Sequence, residues 1–501
     1  MKKFVLTAVS LLLALVLCVG CAPVGPATSD TDPATATTQG AAESTAATEA
    51  PTEAPTQPET EPETEAREVA SLNGVPLEEF TIVYDGDVST YSQRAAAYIQ
   101  AEILARTGVE LTLAEDSDEG VYSHEIVVGE TNREISAHLD ADTQGMQFAI
   151  LSEEGKVALE GDYFIIAAAA YFFVETYVTG EVFDAAIPRQ VSVHEPIVRE
   201  AHNYVFMIGD GMGVNQTKLF EMFENDVPYS NGEEIFFGYY FPYSGMARTD
   251  SLSGTTDSAA AGTALSSGRK TINGFVGQDR DHNPIQSLTE LAGSLGLATA
   301  VMSTEASTGA TPASFSAHAD DRGLEDDIRA GQRAMRDTYG TTIYCGYDFY
   351  TEKLIENRLR VRLREYLDAL GQDEDGFFMM YEEAYIDKHC HNNDAEKTFQ
   401  AVTRFNQAIA VVMEYAFYHP DTFVLITADH ETGALLPDGN GGYAYNSGDH
   451  SSADVPVFAY GDGGERFHGK TIENIQIPQT IAAFMGVTDF GDQSVYTYLA
   501  E

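Results

Sequence analysis

The stretch FVLITADHETGAL, residues 423–435, begins as an apolar, β-favouring run and ends in carboxylate and imidazole side chains. A continuous apolar run of this kind is typical of a strand that is buried on both faces, as in a parallel sheet. Charged groups at the end of such a strand cost free energy unless a partner neutralises them. The stretch therefore predicts an α/β fold in which Asp429 and His430 meet a partner beyond the strand.

Other apolar runs extend this pattern over the C-terminal part of the chain. The predicted strands are YVFMIG at 204–209, LATAVMS at 297–303, GFFMMYE at 376–382 and VPVFAYG at 455–461. Segments with helical periodicity lie between them, among them LEDDIRAGQRAMRDTYG at 324–340. Buried strands that alternate with helices predict a mostly parallel central sheet with helices on both faces. Ligands of such folds bind beyond the carboxyl ends of the strands.

Carboxylates and histidines stand at several of these strand ends. Asp210 follows the first strand, Glu382 ends the third, Asp387 and His391 come shortly after it, and His450 precedes the last. A single Asp after a strand is usually a turn residue or a helix cap. Several carboxylates that converge in one crevice would repel one another unless divalent metal neutralised them. Mixed Asp and His ligands suit Zn²⁺, whereas oxygen ligands alone suit Mg²⁺.

A serine stands at the predicted start of a helix in TTDSAAAGTALSSG, residues 255–268. The N–H groups and the dipole at that position favour an anion, and a nearby metal would activate Ser258 as a nucleophile. The alternative is that Asp257 or Ser258 serves only as an N-cap. No Gly-x-Ser-x-Gly elbow surrounds the serine, so an α/β-hydrolase triad is not expected.

An anionic substrate among so many acids needs a basic partner. Arg322, in GATPASFSAHADDRG at 309–323, is the candidate, because a guanidinium group binds phosphate oxygens in a bidentate manner. The alternative is a surface ion pair with Asp320 or Asp321. For Arg322 taken alone, that alternative is the favoured one.

Composition narrows the classes of partner. The 501 residues include 28 basic and 78 acidic side chains, a formal net charge of −50. Nucleic-acid binding is not expected, because the chain has no cationic surplus to displace phosphate counterions. Electrostatic docking on anionic lipid is disfavoured for the same reason. Outside the N-terminal segment the cysteines are Cys345 and Cys390, for which a disulfide and free thiols both remain open.

The first 66 residues carry features of export. MKK followed by FVLTAVSLLLALVLCVG predicts a secretory signal over residues 1–21, with an uncleaved membrane anchor as the alternative. LCVGCAPVG resembles a bacterial lipoprotein box in which Cys21 would receive lipid. Residues 22–66 are almost wholly Thr, Ala, Pro, Glu, Asp and Ser, which predicts a disordered linker. We therefore expect an extracytoplasmic protein that is secreted or held at the cell surface by an N-terminal lipid anchor.

Residues 67–198 are predicted to form a small accessory α/β domain. It contains the strand FTIVY at 80–84, the helix STYSQRAAAYIQAEILARTG at 89–108, and further strands and a second helix after them. The segment resembles the non-catalytic α/β domain that precedes some secreted glycoside hydrolases. It shows no convergent set of catalytic residues, so an accessory or substrate-presenting role is expected.

Residues 199–501 resemble the alkaline phosphatase family. The matching stretches, in that family's order, are IGDGMG, DSAAAGTALSSG, ATPASFSAHADDR, YEEAYIDKHCH, TADHETGAL and GDHSSADVPVFAYG. The resemblance implies hydrolysis of phosphate monoesters, with Ser258 as nucleophile, Arg322 as phosphate ligand and Lys388 as a further basic group near the substrate.

The resemblance also implies two zinc ions and one magnesium ion. One zinc would be held by Asp387, His391 and His450, and the other by Asp210, Asp429 and His430 beside Ser258. The magnesium ligands would be Asp210, Thr311 and Glu382, with Asp210 bridging to the second zinc.

The chain departs from the family pattern at two places. Two residues before Thr311, several family members carry Asp or His, whereas this chain has Gly309, which leaves its magnesium affinity open. Only 19 residues separate His430 from His450, so the insertion that helps some members to dimerise is missing and the oligomeric state is not predicted.

Three nearby residues receive lesser expectations. Cys390 is a weak competitor as a ligand, and His318 is expected to be structural. Glu431 is expected to be either close to the ligands or solvated.

Rival functions stay open at this point. A phosphodiesterase on the same scaffold is the nearest, although Thr311 and Glu382 belong to the monoesterase pattern. A sulfatase is disfavoured, because no Cys/Ser-x-Pro-x-Arg stretch is present. A surface lipoprotein that binds glycans without catalysis is the alternative from another class.

Overall fold

A computed structural model describes residues 69–86, 90–117, 120, 122–139, 141–221, 237–346 and 355–500. The predicted signal segment, the lipoprotein box with Cys21 and the linker lie outside these residues. Within the described part, none of the helices combines the length and the hydropathy that a membrane span requires.

The N-terminal α/β part is built on one six-stranded sheet in the order β4-β3-β5-β7-β6-β9. The strands are β1 (Ser71–Leu72), β2 (Val75–Pro76), β3 (Thr81–Tyr84), β4 (Thr112–Glu115), β5 (Glu125–Val128), β6 (Phe148–Glu153), β7 (Lys156–Glu160), β8 (Asp184–Ala185) and β9 (Ser192–His194). The helices are α1 (Thr90–Thr107), α2 (Glu134–His138) and α3 (Ile166–Tyr177). Strands β4, β3, β5 and β7 run parallel, and β6 and β9 are antiparallel to their neighbours.

Both faces of this sheet are covered. Along β5, Ile126 and Val128 belong to the main core cluster, whereas Val127 packs with Ile135 and Leu139 in and after α2. Successive strand residues point to opposite faces, so the apolar run of residues 126–128 is what two covered faces require. The predicted strands and both long helices are present in residues 67–198, while the domain boundaries themselves remain a prediction.

The larger part of the chain is built on an eight-stranded sheet in the order β13-β12-β14-β10-β15-β20-β11-β21. The strands of this part are β10 (Asn203–Gly209), β11 (Tyr243–Arg248), β12 (Ala298–Ser303), β13 (Thr342–Cys345), β14 (Phe377–Glu383), β15 (Thr422–Thr427), β16 (Glu431–Thr432), β17 (Leu436–Pro437), β18 (Tyr443–Ala444), β19 (His450–Ser451), β20 (Val455–Tyr460) and β21 (Thr471–Glu473). The helices are α4 (Val214–Thr217), α5 (Ser258–Ser267), α6 (Leu288–Ser294), α7 (Ala310–Ser314), α8 (Glu325–Tyr339), α9 (Ile355–Leu370), α10 (Tyr385–His391), α11 (Ala395–Tyr418) and α12 (Gln476–Phe484).

The sheet is parallel from β13 through β15, and β20 then runs antiparallel to both of its neighbours. Every residue of β10, β14, β15 and β20 is buried. The predicted α/β fold with a mostly parallel central sheet is therefore confirmed.

The register of the central strands places the predicted site at the carboxyl ends of these strands. Ile208 of β10 lies opposite Glu382 of β14 and opposite Thr427 of β15. Asp210 and Asp429 follow these paired positions by two residues each. The short ladder of β16 with β19 then sets His450 opposite Thr432, beside the end of β15.

One buried carboxylate joins the two parts of the fold. Glu414 of α11 has a side chain that is 1% exposed, and its Oε1 lies 2.6 Å from Nε of Arg94 in α1. Its other oxygen accepts a hydrogen bond from Arg364 of α9. Arg94 belongs to the N-terminal α/β part and Arg364 belongs to the larger part. Glu414 therefore holds both α1 and α9 against α11.

We expect Glu414→Gln to lower the free energy of unfolding by about 2–3 kcal/mol, because two guanidinium groups would face a neutral amide. The loss stays below that of a fully enclosed pair, since the Arg94 and Arg364 side chains are 34% and 31% exposed. Urea unfolding followed by circular dichroism measures it. The control is Glu365→Gln, whose pair with Arg362 is more than half exposed on both sides and contributes at most about 1 kcal/mol. Equal midpoints for the two variants would contradict the assignment.

Candidate active site

The ring of His430 is oriented by Thr432. The Thr432 hydroxyl donates to Oδ1 of Asp387 at 2.6 Å, and it lies 3.2 Å from Nδ1 of His430. Since the hydroxyl proton is already used, the hydroxyl oxygen accepts the proton of Nδ1, and the lone pair of His430 stays on Nε2. His430 is fully buried, and burial together with the nearby His450 lowers its pKa well below the usual value.

The Nε2 atom of His430 faces oxygen atoms from three directions. It lies 3.2 Å from Oγ of Ser258, 3.2 Å from Oδ2 of Asp429 and 3.6 Å from Oδ1 of Asp210. Oδ1 of Asp429 accepts from the backbone N–H groups of Gly211 and His430, which leaves Oδ2 for the site. The end of β15 thus meets the end of β10 and the start of α5 at a single point.

A second group consists of Asp387, His391 and His450. Nδ1 of His391 lies 2.6 Å from the carbonyl of Gly448, and Nδ1 of His450 lies 2.8 Å from the carbonyl of Thr256. Both Nδ1 atoms must therefore carry a proton, and in the neutral rings the two Nε2 lone pairs face each other at 3.2 Å. Oδ1 of Asp387 lies 3.3 Å and 3.6 Å from them. Only a cation or an added proton satisfies this arrangement, and the hydrogen bond to Asp387 raises the pKa of His391 to about 9.

A third group consists of Asp210, Thr311 and Glu382, and its ligand atoms are oxygen only. Oε2 of Glu382 accepts a hydrogen bond from the Ser303 hydroxyl. Burial raises the pKa of Glu382 well above its usual value, and the neighbouring Glu305 carboxylate adds to the effect. Burial and the nearby Asp429 likewise raise the pKa of Asp210.

Buried polar atoms without a partner test whether metal fits these groups. In the described residues, such atoms of the site are Oδ1 of Asp210, Oγ1 of Thr311, Oε1 of Glu382 and Oδ2 of Asp429, none of which has a hydrogen-bond partner of acceptable geometry. Unsatisfied oxygens are costly in a protein interior, and bound cations would satisfy them. Asp387, His391 and His450, and also Asp210, Asp387 and His430, bring ligand atoms within 4.8 Å of one another. The donor atoms around His430 and those of Asp387, His391 and His450 therefore fit zinc, because they combine imidazole and carboxylate. The oxygen atoms of Asp210, Thr311 and Glu382 fit magnesium.

Ser258 lies at the first position of α5 and is 4% exposed. The helix begins there because Oδ1 of Asp257 accepts from the backbone N–H of Ala260 at 2.9 Å, so Asp257 is the N-cap and Ser258 is not. The Ala, Gly and Ser run lets α7 approach closely. A Cβ on Gly262 would lie 3.2 Å from Cβ of Ser314 in α7.

Arg322 lies beside the start of this helix. Its Nη1 is 3.3 Å from Oδ2 of Asp257, and its side chain is 42% exposed. The surface ion pair with Asp320 or Asp321 is not formed. The backbone N–H of Arg322 bonds to the carbonyl of Gly274, and the backbone N–H of Gly274 in turn bonds to Oδ2 of Asp257.

Lys388, the other predicted substrate-binding residue, pairs with Glu305. Glu305, Thr432 and Ser303 were not predicted to belong to the site. Thr432 lies in the stretch at 423–435 and Ser303 ends a predicted strand, but nothing in the spacing of these segments predicts their contacts. Glu305 lies in the loop between β12 and α7, and its side chain is 17% exposed.

Glu431 is not solvated. It is buried, and it accepts hydrogen bonds from the Gln216 side chain at 2.9 Å, from the backbone of Leu435 at 3.1 Å and from the Ser451 hydroxyl. Glu431 therefore anchors the loop that follows Asp429 and His430.

The remaining candidates are structural in their contacts. His318 bonds to the carbonyl of Gly277 and to Glu290, as expected. Cys390 is a buried free thiol, and it belongs to neither of the two sets of residues whose ligand atoms lie within 4.8 Å of one another. Burial raises the pKa of its thiol to about 12. Cys345 is also a free thiol, so the structure favours free cysteines over a disulfide.

Similarity to known proteins covers the larger part of the fold. Residues 201–357 and 345–447 match the family described as alkaline phosphatase. Alkaline phosphatase 4 of Bacillus subtilis is 28% identical over 295 residues, which are 48% of this chain and 64% of that protein. The repressible alkaline phosphatase of Saccharomyces cerevisiae is 26% identical over 317 residues, which are 47% of this chain and 55% of that protein. The chain thus spans less than two thirds of the length of these relatives.

A solved structure shows the same fold. The alkaline phosphatase from the Antarctic bacterium TAB5 superposes with a TM-score of 0.50 and 26% sequence identity, over 57% of this chain and 99% of that one. The order of the motifs, the convergence of their side chains at the strand ends and these matches agree, and the chain belongs to the alkaline phosphatase family.

Proposed function

We propose that the protein hydrolyses phosphate monoesters and releases inorganic phosphate through a phosphoserine on Ser258. The observation that carries the proposal is the Ser258 hydroxyl at the N-terminus of α5, 3.2 Å from His430 and inside a cluster of carboxylates and imidazoles. A hydroxyl in this position faces the positive end of the helix dipole, which favours an anionic phosphoryl group.

Two zinc ions and one magnesium ion complete the proposed site. Asp387, His391 and His450 would hold one zinc, Asp210, Asp429 and His430 the other, and Asp210, Thr311 and Glu382 the magnesium. When bound, these metals would neutralise the carboxylates, lower the pKa of a nearby hydroxyl or water and stabilise a departing alkoxide.

The residues of the chain then perform a double displacement. The guanidinium of Arg322 binds the non-bridging oxygens and orients the phosphorus toward Ser258. Oγ of Ser258 forms a bond to phosphorus while the ester P–O bond breaks, and the alcohol leaves with a proton. Water then cleaves the phosphoserine, which restores the hydroxyl and releases phosphate. Lys388 adds positive charge at the same edge of the site, moderated by its pair with Glu305.

A comparison of substrates tests this proposal on the purified full chain. For p-nitrophenyl phosphate we expect kcat/KM to exceed the values for bis(p-nitrophenyl) phosphate and p-nitrophenyl sulfate by about 100-fold or more, since the third group of oxygen ligands favours a monoesterase. A preference for the diester would support the phosphodiesterase alternative. Absence of turnover for all three, in protein loaded with zinc and magnesium, would support a binding protein without catalysis.

We also infer that the protein acts outside the cytoplasmic membrane and is lipid-anchored at Cys21. The support for this inference is the charged start, the apolar run and the lipoprotein box of residues 1–21, with the polar linker that follows. Small phosphate esters in the surrounding medium would then reach the site directly.

A further inference from the structure

Position 309 contributes space to the site rather than backbone freedom. Gly309 precedes α7 with φ −56° and ψ 153°, a conformation that residues with a side chain adopt readily. A Cβ at this position would fall on the Glu305 side chain, 2.8 Å from its Cγ and closer still to its carboxylate. The missing side chain of Gly309 is therefore what allows Glu305 to lie where it does.

Glu305 contacts the surroundings of the oxygen-ligand group through its backbone and through its side chain. The backbone N–H of Glu305 donates to Oγ of Ser303 at 3.0 Å, and the same Ser303 hydroxyl donates to Glu382. On its other side, the Glu305 carboxylate pairs with Lys388, the residue that follows the ligand Asp387. Glu305 thus pairs with a cationic side chain and is linked through Ser303 to the Glu382 carboxylate.

We propose that Glu305 is a positioning residue of the magnesium site, and that it supplies the carboxylate which position 309 lacks. The proposal rests on the metal set of the proposed function. Glu305 would act in two ways that favour a divalent cation: it adds negative charge beside Asp210, Thr311 and Glu382, and its ion pair holds the charge of Lys388 away from them. Glu305, four residues before Gly309, would accordingly maintain the magnesium affinity of a site that has no carboxylate at position 309.

The test is magnesium binding to the full chain, measured without substrate. Protein loaded with zinc and freed of magnesium is titrated with MgCl₂ by isothermal titration calorimetry. For Glu305→Gln we expect the dissociation constant of Mg²⁺ to rise about tenfold or more relative to the parent, since one charge is removed and Lys388 is released. The control Glu325→Gln removes an equal charge from an exposed pair on α8, and its dissociation constant should stay within about twofold.

A transplanted carboxylate separates the role of Glu305 from a general loss of fold. In the double variant Glu305→Ala with Gly309→Asp, the new side chain enters the space that Glu305 vacates, and we expect most of the magnesium affinity to return. Parent-like affinity in Glu305→Gln would overturn the proposal. If Glu305→Gln melts at a lower temperature than the parent in the absence of magnesium, Glu305→Asp provides a second test. Glu305→Asp must then bind Mg²⁺ more tightly than Glu305→Gln, or the proposal fails. A parent that hydrolyses phosphate monoesters but takes up no Mg²⁺ would overturn the role of Glu305 and leave the proposed function standing.

Discussion

Replacement of Ser258 by alanine is expected to lower kcat for p-nitrophenyl phosphate by about 1,000-fold or more, while zinc content and phosphate affinity change little. The reason is geometric. The Ser258 hydroxyl is the group at the start of α5 that lies within 3.2 Å of His430, whereas the carboxylates and imidazoles that would hold the metals stay in place without it. Steady-state kinetics, metal analysis and the inhibition constant of inorganic phosphate measure the three quantities.

A neighbouring serine provides the matched control. Ser266 lies on the same helix, is buried, and donates only to the carbonyl of Thr263 at 3.2 Å. Ser266→Ala should keep kcat within about threefold of the parent, because it removes a hydroxyl remote from the site. Acid quenching during turnover, followed by mass spectrometry, should find phosphate on the peptide that contains Ser258. Retained turnover in Ser258→Ala, or phosphate on another residue, would refute the nucleophile.

The apolar strands of the fold are predictable from the sequence, because parallel strands covered on both faces leave uninterrupted apolar runs. The strands that the sequence did not predict lack this pattern. In YSGMAR of β11, Gly245 interrupts the run, and a Cβ there would lie 2.7 Å from the carbonyl oxygen of Lys470. The edge strand β21 has three residues, of which only Ile472 is buried. Short or partly exposed edges carry too few core residues for a periodic signal.

The residues of the site follow the same division. Asp210, Glu382 and Asp429 could be placed together, because the ends of parallel strands meet at one edge. Contacts that depend on the conformation of a loop could not be predicted from the sequence. Arg322 pairs with Asp257 rather than with its sequence neighbours, and its backbone bonds to Gly274, whose own N–H bonds to Asp257. Glu305 has no motif of its own, and its importance follows only from the space at Gly309.

Removal of metal is expected to lower hydrolysis of p-nitrophenyl phosphate below about 1% of the initial rate, and zinc together with magnesium should restore it. In protein without metal, protons must take the place of the cations. Burial raises the pKa of Asp429 to about 7, and Asp387 raises that of His391 to about 9. At pH 7 His391 is therefore mostly protonated and Asp429 is about half protonated, and these protons must leave before zinc binds.

The sign of the pH dependence follows from this competition. As pH rises from about 6 toward 9, Asp429 and then His391 lose their protons, so the apparent affinity for zinc should increase over that range. Zinc titrations by calorimetry in buffers of different ionisation enthalpy measure the number of protons released, which should be greater at pH 6 than at pH 9. Calcium in place of zinc should not restore activity, because it prefers oxygen ligands to the imidazoles of His391, His430 and His450. Hydrolysis that persists at the full rate after dialysis against EDTA, in protein shown to contain no zinc, would reject the metal centre and with it the explanation for charged groups at the end of a buried strand.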